Sequence, residues 1–104
     1  MKNPKAKGSR LERIVKEIKE KEGFLSIKSG ASLTNWDLVC IPRLKTNLIP
    51  CVIQVKSNRI SKQEMRRLAD DDIKARKEIW IKPDYKNWII YVYDDINCEW
   101  KKIV

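Results

Sequence analysis

Apolar residues recur along this chain at two spacings, one typical of helices and the other of strands. Residues 9–22 carry apolar side chains three and four positions apart, which predicts an amphipathic helix. Ser9 with Glu12 three positions later fits a capping box, so we expect this helix to begin at Ser9 and to end at Gly23. Residues 1–7 are then a mobile basic tail.

Short apolar runs bounded by turn residues predict the strands. They cover residues 24–28, 36–41, 49–56, 79–81 and 88–93, and residues 99–104 form either a final edge strand or a segment packed against the sheet. Ser61 with Glu64 repeats the capping pattern and begins a second helix that we expect to reach about Lys77. The order α-β-β-β-α-β-β predicts an α/β domain, a mixed sheet of about five strands flanked by helices.

Length and charge narrow the class of protein. A chain of 104 residues forms one domain, here residues 1–104. Its 23 Lys and Arg against 14 Asp and Glu favour a polyanionic partner, nucleic acid first and an anionic membrane surface second. No apolar run approaches the roughly 20 residues that span a bilayer, and no apolar segment follows the N-terminal charges as a secretory signal requires. We therefore expect a cytoplasmic protein, of a cell or of a viral host, that binds DNA and no membrane.

Two absences restrict the chemistry. The chain has no His, and its three Cys lie far apart without a CxxC pair. We therefore expect neither a zinc site nor catalysis by imidazole. A hydrolase built from this sequence would rely on carboxylates, lysine and a hard cation such as Mg²⁺.

Three polar residues interrupt strand patterns that are otherwise apolar. Asp37 lies near the start of one strand, while Gln54 and Lys56 occupy alternate positions of another and so project from one face. An ammonium drawn toward a core is costly unless an anion meets it, and Asp37 is the candidate anion. An acid, an amide oxygen and a lysine on neighbouring strands form a candidate site for a divalent metal and a phosphate.

Four motifs resemble, in order and approximate spacing, those of the PD-(D/E)xK nucleases, and most closely those of the archaeal Holliday-junction resolvases. They are GSRLER from residue 8, GAS from residue 30, WD at residues 36–37 and QVKS from residue 54. The resemblance covers most of the chain. It implies a restriction-endonuclease-like fold, a Mg²⁺ cofactor that Mn²⁺ can replace, and hydrolysis of phosphodiester bonds in DNA.

Transferred position by position, the resemblance implies a metal site with a catalytic lysine. Asp37 would be the principal metal-binding carboxylate, Gln54 would stand where the family usually has Glu or Asp, and the backbone carbonyl of Val55 would complete the metal shell. Lys56 is the motif lysine, which can orient the attacking water or offset the developing negative charge. Glu12 matches the acid of the first helix, which can hold the metal through a water or orient Lys56.

The same resemblance implies contacts with DNA. Ser32 falls in a loop that contributes to catalysis or DNA contact in these resolvases, so we include it among the catalytic residues. Arg13 matches an arginine implicated in DNA binding. The full set expected to contact DNA is Arg10, Arg13, Lys28, Ser32, Arg59 and Lys62.

The chain departs from the family pattern at two positions. Trp36 replaces the usual Pro before the acid, where Pro mainly shapes the entry of the chain into the strand. Gln54 replaces an acid, and a side-chain amide oxygen can coordinate Mg²⁺ without bringing negative charge. Metal binding should weaken, and the charge at the site would come from Asp37 and Glu12.

Each candidate also has an ordinary structural explanation. Glu12 serves equally as the second half of the capping box or as the helical partner of Lys16. Asp37 has the alternative of capping a turn at the start of a strand. Gln54 and Lys56 have the alternative of lying on the solvated face of an edge strand, against which the preceding uninterrupted apolar residues argue.

We expect an endodeoxyribonuclease that resolves four-way DNA junctions as a homodimer, because a junction presents two symmetric scissile strands. Exposed apolar surface on the late strands, around Trp88 to Tyr93, is the expected dimer interface. Two alternatives stay open. One is a nuclease of the same superfamily acting on flaps, single strands or duplex DNA. The other is a catalytically inactive DNA-binding module of the same fold.

Overall fold

A computed structural model of the protein describes residues 4–29 and 35–104. Its elements are α1 (Pro4–Glu22), β1 (Phe24–Lys28), β2 (Leu38–Pro42), β3 (Cys51–Ser57), α2 (Lys62–Ala69), β4 (Arg76–Lys82), β5 (Ile89–Asp94) and β6 (Glu99–Lys102). The six strands form one sheet in the order β1-β2-β3-β4-β5-β6. Neither helix described here is both long and apolar enough to cross a bilayer.

The sheet is mixed, as the sequence predicts, with one strand more than expected. β3 and β4 pair in parallel through the crossover that contains α2, and every other neighbouring pair is antiparallel. Because β3 lies between β2 and β4, the edge-strand explanation for its polar residues is wrong. The sixth strand comes from residues 99–102, the segment that the sequence leaves open between strand and loose packing.

The core has two layers, one on each face of the sheet. α1 lies on one face, where its apolar stripe packs against alternate residues of the strands. Buried residues of this layer are Leu11, Val15, Phe24, Leu38, Cys40, Cys51, Ile53, Val55, Trp80 and Ile90. α2 covers the opposite face with Leu68 against Val52, Ile79, Ile81 and Trp36. β3 thus contributes to both layers, which explains its almost unbroken burial.

The start of α1 differs from the sequence prediction. The helix begins at Pro4, so residues 4–7 belong to it, and Ser9 lies inside the helix instead of capping it. A proline suits the first helical position because its fixed φ is already helical and its missing N–H has no partner there to lose. Residues 1–3 lie outside the described part of the chain. At the other end Gly23 ends the helix as expected, at a φ of +113° that favours glycine.

α2 begins as predicted and ends earlier. Ser61 caps it by accepting a hydrogen bond from the N–H of Glu64 at 3.1 Å. The helix stops at Ala69 instead of near Lys77, because the acidic residues 70–72 oppose the helix dipole at its C-terminus. The ammonium of Lys77, itself in β4, donates to the carbonyls of Ala69 and Asp71 at 2.8 and 2.6 Å and satisfies this end.

A buried ion pair that the sequence does not reveal joins α1 to β4. Lys19 and Glu78 are only 6% and 2% exposed, and Lys19 Nζ lies 3.2 Å from Glu78 Oε1. Arg76 and the indole N–H of Trp80 each donate to the same carboxylate at 2.8 Å. Burial alone would raise the pKa of Glu78, but Lys19 and these donors outweigh burial and lower it. Burial alone would lower the pKa of Lys19, but the attraction of Glu78 outweighs burial, so the pKa is raised.

The variant Glu78→Gln should lower the free energy of unfolding by about 3 kcal/mol, because it leaves the buried ammonium of Lys19 without its main anion. Urea denaturation at pH 7 measures this loss. Glu17→Gln, which removes an exposed carboxylate from α1, is the matched control and should change stability by less than about 0.5 kcal/mol. Equal effects of the two variants would contradict a structural role for the pair.

The same pair predicts the pH dependence of stability. Since the pKa of Glu78 is lowered on folding, its contribution is present above the ordinary glutamate pKa of about 4.3 and is lost as pH falls through the folded value. Since the pKa of Lys19 is raised, its contribution is complete below about pH 10.4 and is lost as pH rises through the folded value. Wild type should therefore lose more stability than Glu78→Gln on acidification below about pH 4.

Candidate active site

Asp37 lies immediately before β2, not inside a strand as the sequence pattern predicts. It is nevertheless held against β3 by two hydrogen bonds. Its backbone N–H donates to the carbonyl of Ile53 at 2.9 Å, and its carboxylate Oδ2 accepts from the N–H of Val55 at 2.8 Å. Regular pairing between β2 and β3 does not extend to this point. The carboxylate of Asp37 therefore accepts the hydrogen bond from Val55 that a backbone carbonyl of a neighbouring strand would otherwise accept.

Gln54 and Lys56 project from one face of β3, as predicted. Gln54 is buried, with 9% of its surface exposed. The side chain of Lys56 is 29% exposed, and its Nζ lies 2.7 Å from Glu64 Oε1 on α2. This contact identifies the shared face as the one that α2 covers.

The backbone of Val55 faces the same opening as Asp37. In a strand the N–H and C=O of one residue point to the same side, and the Val55 N–H points at Asp37. Its carbonyl oxygen therefore points toward the same edge of β3, beside the segment that precedes β2. The role of this carbonyl as a metal ligand stays a prediction.

The charges around Asp37 shift its pKa upward. Burial is the largest cause, and the hydrogen bond from Val55 opposes it. The negative charges of Glu12 and Glu64 raise the pKa further, while the ammonium of Lys56 lowers it. Charged groups from α1, β3 and α2 thus all contribute to the pKa shift of the acid that precedes β2.

Glu12 lies in α1. Since Ser9 lies within the helix, Glu12 is not part of a capping box, and that explanation is wrong. Its Oε1 lies 3.3 Å from the ammonium of Lys28 at the end of β1. The pairing with Lys28 joins α1 to β1, and the negative charge of Glu12 contributes to the raised pKa of Asp37.

The residues predicted to contact DNA are on the surface where the structure describes them. Arg10, Arg13, Lys28, Arg59 and Lys62 are all exposed. Ser32, predicted to take part in catalysis and DNA contact, lies outside the described residues together with the rest of segment 30–34.

Glu64 is the residue at this site that the sequence pattern misses. The pattern explains it as the second half of a capping box, and its N–H does donate to Ser61 Oγ. Its carboxylate, however, pairs with Lys56. The available signal is its position in the first turn of the helix that follows β3, because a crossover helix returns over the strand that precedes it.

α2 also holds the segment that carries Asp37. The indole N–H of Trp36 donates to Asp71 Oδ2 at 2.7 Å, just beyond the end of α2, and the Asn35 amide donates to the same oxygen at 3.3 Å. Arg67 donates to the side-chain oxygen of Asn35. Trp36 is itself only 2% exposed. The tryptophan that replaces the expected proline is therefore an anchor between this segment and α2.

Among solved structures, Hjc from Archaeoglobus fulgidus, a Holliday junction resolvase from an archaeal hyperthermophile, is similar to this chain with a TM-score of 0.60. The match covers 81% of this chain and 70% of Hjc, at 23% sequence identity. No protein-family model matches the sequence, and no curated protein matches it. The chain has a restriction-endonuclease-like fold.

The oxygen donors of this restriction-endonuclease-like domain suit one hard cation with few protein ligands. Within residues 4–29 and 35–104, no three Asp, Glu or Cys side chains lie close enough together to hold a metal. Asp37 keeps Oδ1 free of the Val55 bond, and the amide oxygen of Gln54 and the carbonyl of Val55 are neutral donors. Mg²⁺ commonly binds through one or two carboxylates and keeps several waters. A cation here would also stabilise the charged form of Asp37, which burial and the repulsion of other carboxylates disfavour.

The late strands of the fold do not expose the apolar surface expected of a dimer interface. Residues 88–93 are half-buried or buried, and Trp88 packs edge-to-face on Trp80 with ring centroids 5.5 Å apart. The exposed apolar side chains of the sheet lie instead at its other end. Leu25, Ile27 and Ile41 are 40–45% exposed and share one face of β1 and β2, by the pairing of Leu25 with Ile41.

Proposed function

We propose that this protein is a Mg²⁺-dependent endodeoxyribonuclease that cleaves branched DNA, with four-way junctions as its main substrate. One observation carries the proposal most strongly. The carboxylate of Asp37 is held by the Val55 N–H at 2.8 Å, among the charges of Glu12, Lys56 and Glu64. The likeness in fold to a junction resolvase supports the choice of substrate.

The residues of the site divide the work of phosphodiester hydrolysis. Asp37, the amide oxygen of Gln54 and the carbonyl of Val55 would hold Mg²⁺, which supplies a water of lowered pKa and a clamp on a phosphate oxygen. Lys56 would orient the attacking water, or offset the negative charge that develops on the phosphorane. Glu12 adds negative charge beside Asp37 and so favours a cation there. None of these steps requires histidine, which the chain lacks.

DNA affinity comes from a different set of residues. The exposed cations Arg10, Arg13, Lys28, Arg59 and Lys62 can neutralise phosphates, which releases counterions. Their contribution is independent of Asp37. Binding and cleavage are therefore separable by mutation, and binding should fall steeply with salt concentration.

Asp37→Asn and Lys56→Met should each lower the single-turnover cleavage rate of a four-way junction by at least about 100-fold, with Mg²⁺ or Mn²⁺ present. The asparagine keeps an oxygen for the Val55 N–H and removes only the charge. Junction affinity, measured by fluorescence anisotropy, should stay within about threefold of wild type, because dispersed Lys and Arg provide it. Lys45→Met, in an exposed turn, is the control for loss of a positive charge. Unchanged cleavage in either site variant would overturn the assignment.

The substrate class is tested by comparing a four-way junction, a flap, a single strand and a linear duplex of matched sequence. We expect the junction to be cleaved at least about tenfold faster than the others at saturating protein, because a junction positions two scissile strands on a two-fold symmetric surface. Preference for a flap or for duplex DNA would favour the other nucleases of the superfamily.

The inactive DNA-binding module is the second candidate, and the absence of charge on Gln54 favours it. It predicts junction binding without cleavage in either metal. Activity that appears only in Gln54→Glu would decide for this candidate, since the variant restores the acid that the family pattern has in β3.

We also propose a homodimer whose interface includes the apolar face of β1 and β2 formed by Leu25, Ile27 and Ile41. Contiguous exposed apolar surface commonly marks such an interface. Sedimentation equilibrium should give a dimer for wild type and a weakened dimer for Ile41→Glu. Ile96→Glu, at a turn residue that is 92% exposed, should leave the dimer intact. A wild-type monomer at micromolar concentration would refute the proposed assembly.

A further inference from the structure

Glu64 makes the shortest ion pair of the candidate site. Its Oε1 lies 2.7 Å from Lys56 Nζ, with 23% and 29% of the two side chains exposed. The partners come from different elements, the glutamate from α2 and the lysine from β3. Arg67, one turn along the helix, lies farther from the same oxygen, at 3.5 Å. The lysine is thus the principal partner of this carboxylate.

The position of Glu64 is fixed by the start of α2 and not by the ion pair alone. Its N–H is held by the Ser61 cap, and the fully buried Leu68 attaches the helix to the sheet. A carboxylate in the first helical turn is also favoured by the helix dipole. The side chain of Glu64 is therefore held over the end of β3, on the face that Lys56 and Gln54 share.

At this point β3 itself provides no negative charge. Gln54 is neutral, and Asp37 is the acid contributed by the segment before β2. Glu64 brings a carboxylate from α2 over the face of β3 that Gln54 and Lys56 share, with its Oε1 2.7 Å from Lys56 Nζ. The pair joins two different elements and both side chains are less than one third exposed, which separates it from an ordinary surface pair that contributes little.

We propose that Glu64 supplies from α2 the carboxylate charge that Gln54 does not bring from β3, and that its contact with Lys56 positions the lysine ammonium for catalysis. Only the catalytic part of this inference rests on the proposed function. Glu64 is accordingly a positioning residue that acts through Lys56 and through the charge of the site. Its contribution to cation binding stands whether or not the protein cleaves DNA.

Moving the charge back to the strand is the sharpest test. Glu64→Gln keeps the size of the side chain and removes its charge, and Gln54→Glu restores a carboxylate in β3. The double variant Gln54→Glu/Glu64→Gln has the same net charge as wild type. Glu99→Gln, on the exposed edge strand β6, controls for the loss of one negative charge elsewhere.

The first measurement is Mn²⁺ affinity by electron paramagnetic resonance, on the full chain without DNA. Glu64→Gln should bind Mn²⁺ about tenfold more weakly, and the double variant should return to within about threefold of wild type. Glu99→Gln should bind as wild type does. Equal Mn²⁺ affinity in wild type and Glu64→Gln would overturn the inference, whatever the cleavage assay shows.

The second measurement is single-turnover junction cleavage, with junction affinity and thermal midpoint recorded for each variant. Glu64→Gln should lower the cleavage rate about tenfold or more at saturating metal while junction affinity stays the same. Rescue by the double variant supports the charge role, and loss without rescue despite normal folding contradicts it. Absence of cleavage in wild type would reject the proposed nuclease activity, while the Mn²⁺ series would still decide the role of Glu64.

Discussion

The buried pair of Lys19 and Glu78 fixes how α1 lies on the sheet, and the site depends on that placement. Glu78 faces α1 only in the observed register of β4, because a shift by one residue would turn it to the α2 face. Arg76, Trp80 and Lys19 together satisfy its carboxylate. Unpaired, the same charge would be costly at this depth, so the pair selects one register and one helix position. Glu12, whose negative charge raises the pKa of Asp37, lies nearer the start of the same helix and takes its position from that placement.

The candidate site lies where regular structure gives way. β2 has not yet begun at Asp37, and the unpaired N–H of Val55 is satisfied by the carboxylate instead of by another backbone group. One hydrogen bond therefore does two things, since it closes the edge of β3 and orients an acid. The other carboxylates come from helices on opposite faces, Glu12 from α1 and Glu64 from α2. Glu12 pairs with Lys28 at the end of β1, and Glu64 pairs with Lys56 near the end of β3.

The sequence predicts the parts of this arrangement that depend on local patterns. Alternation along β3 places Gln54 and Lys56 on one face. The apolar residues on both faces of the strand identify it as central. The lengths of the helices are predicted less well, because α2 ends where Lys77, from the next strand, satisfies its last carbonyls. Glu78 and Lys19 escape prediction for a related reason. They lie 59 positions apart, and nothing near either residue in the chain shows that it is buried.

At both positions where the chain departs from the PD-(D/E)xK pattern, the neighbouring contacts involve α2 or the residues just beyond it. Trp36, in place of a proline that shapes entry into the strand, gives the segment a side chain that donates to Asp71 at the end of α2. Gln54, in place of an acid, leaves Glu64 of α2 as the carboxylate over this face of β3. The two substitutions are therefore coupled through one helix, because α2 holds the segment before Asp37 at its C-terminal end and Lys56 at its N-terminal end. A change that displaces α2 would disturb both the acid and the lysine while leaving the sheet beneath them intact.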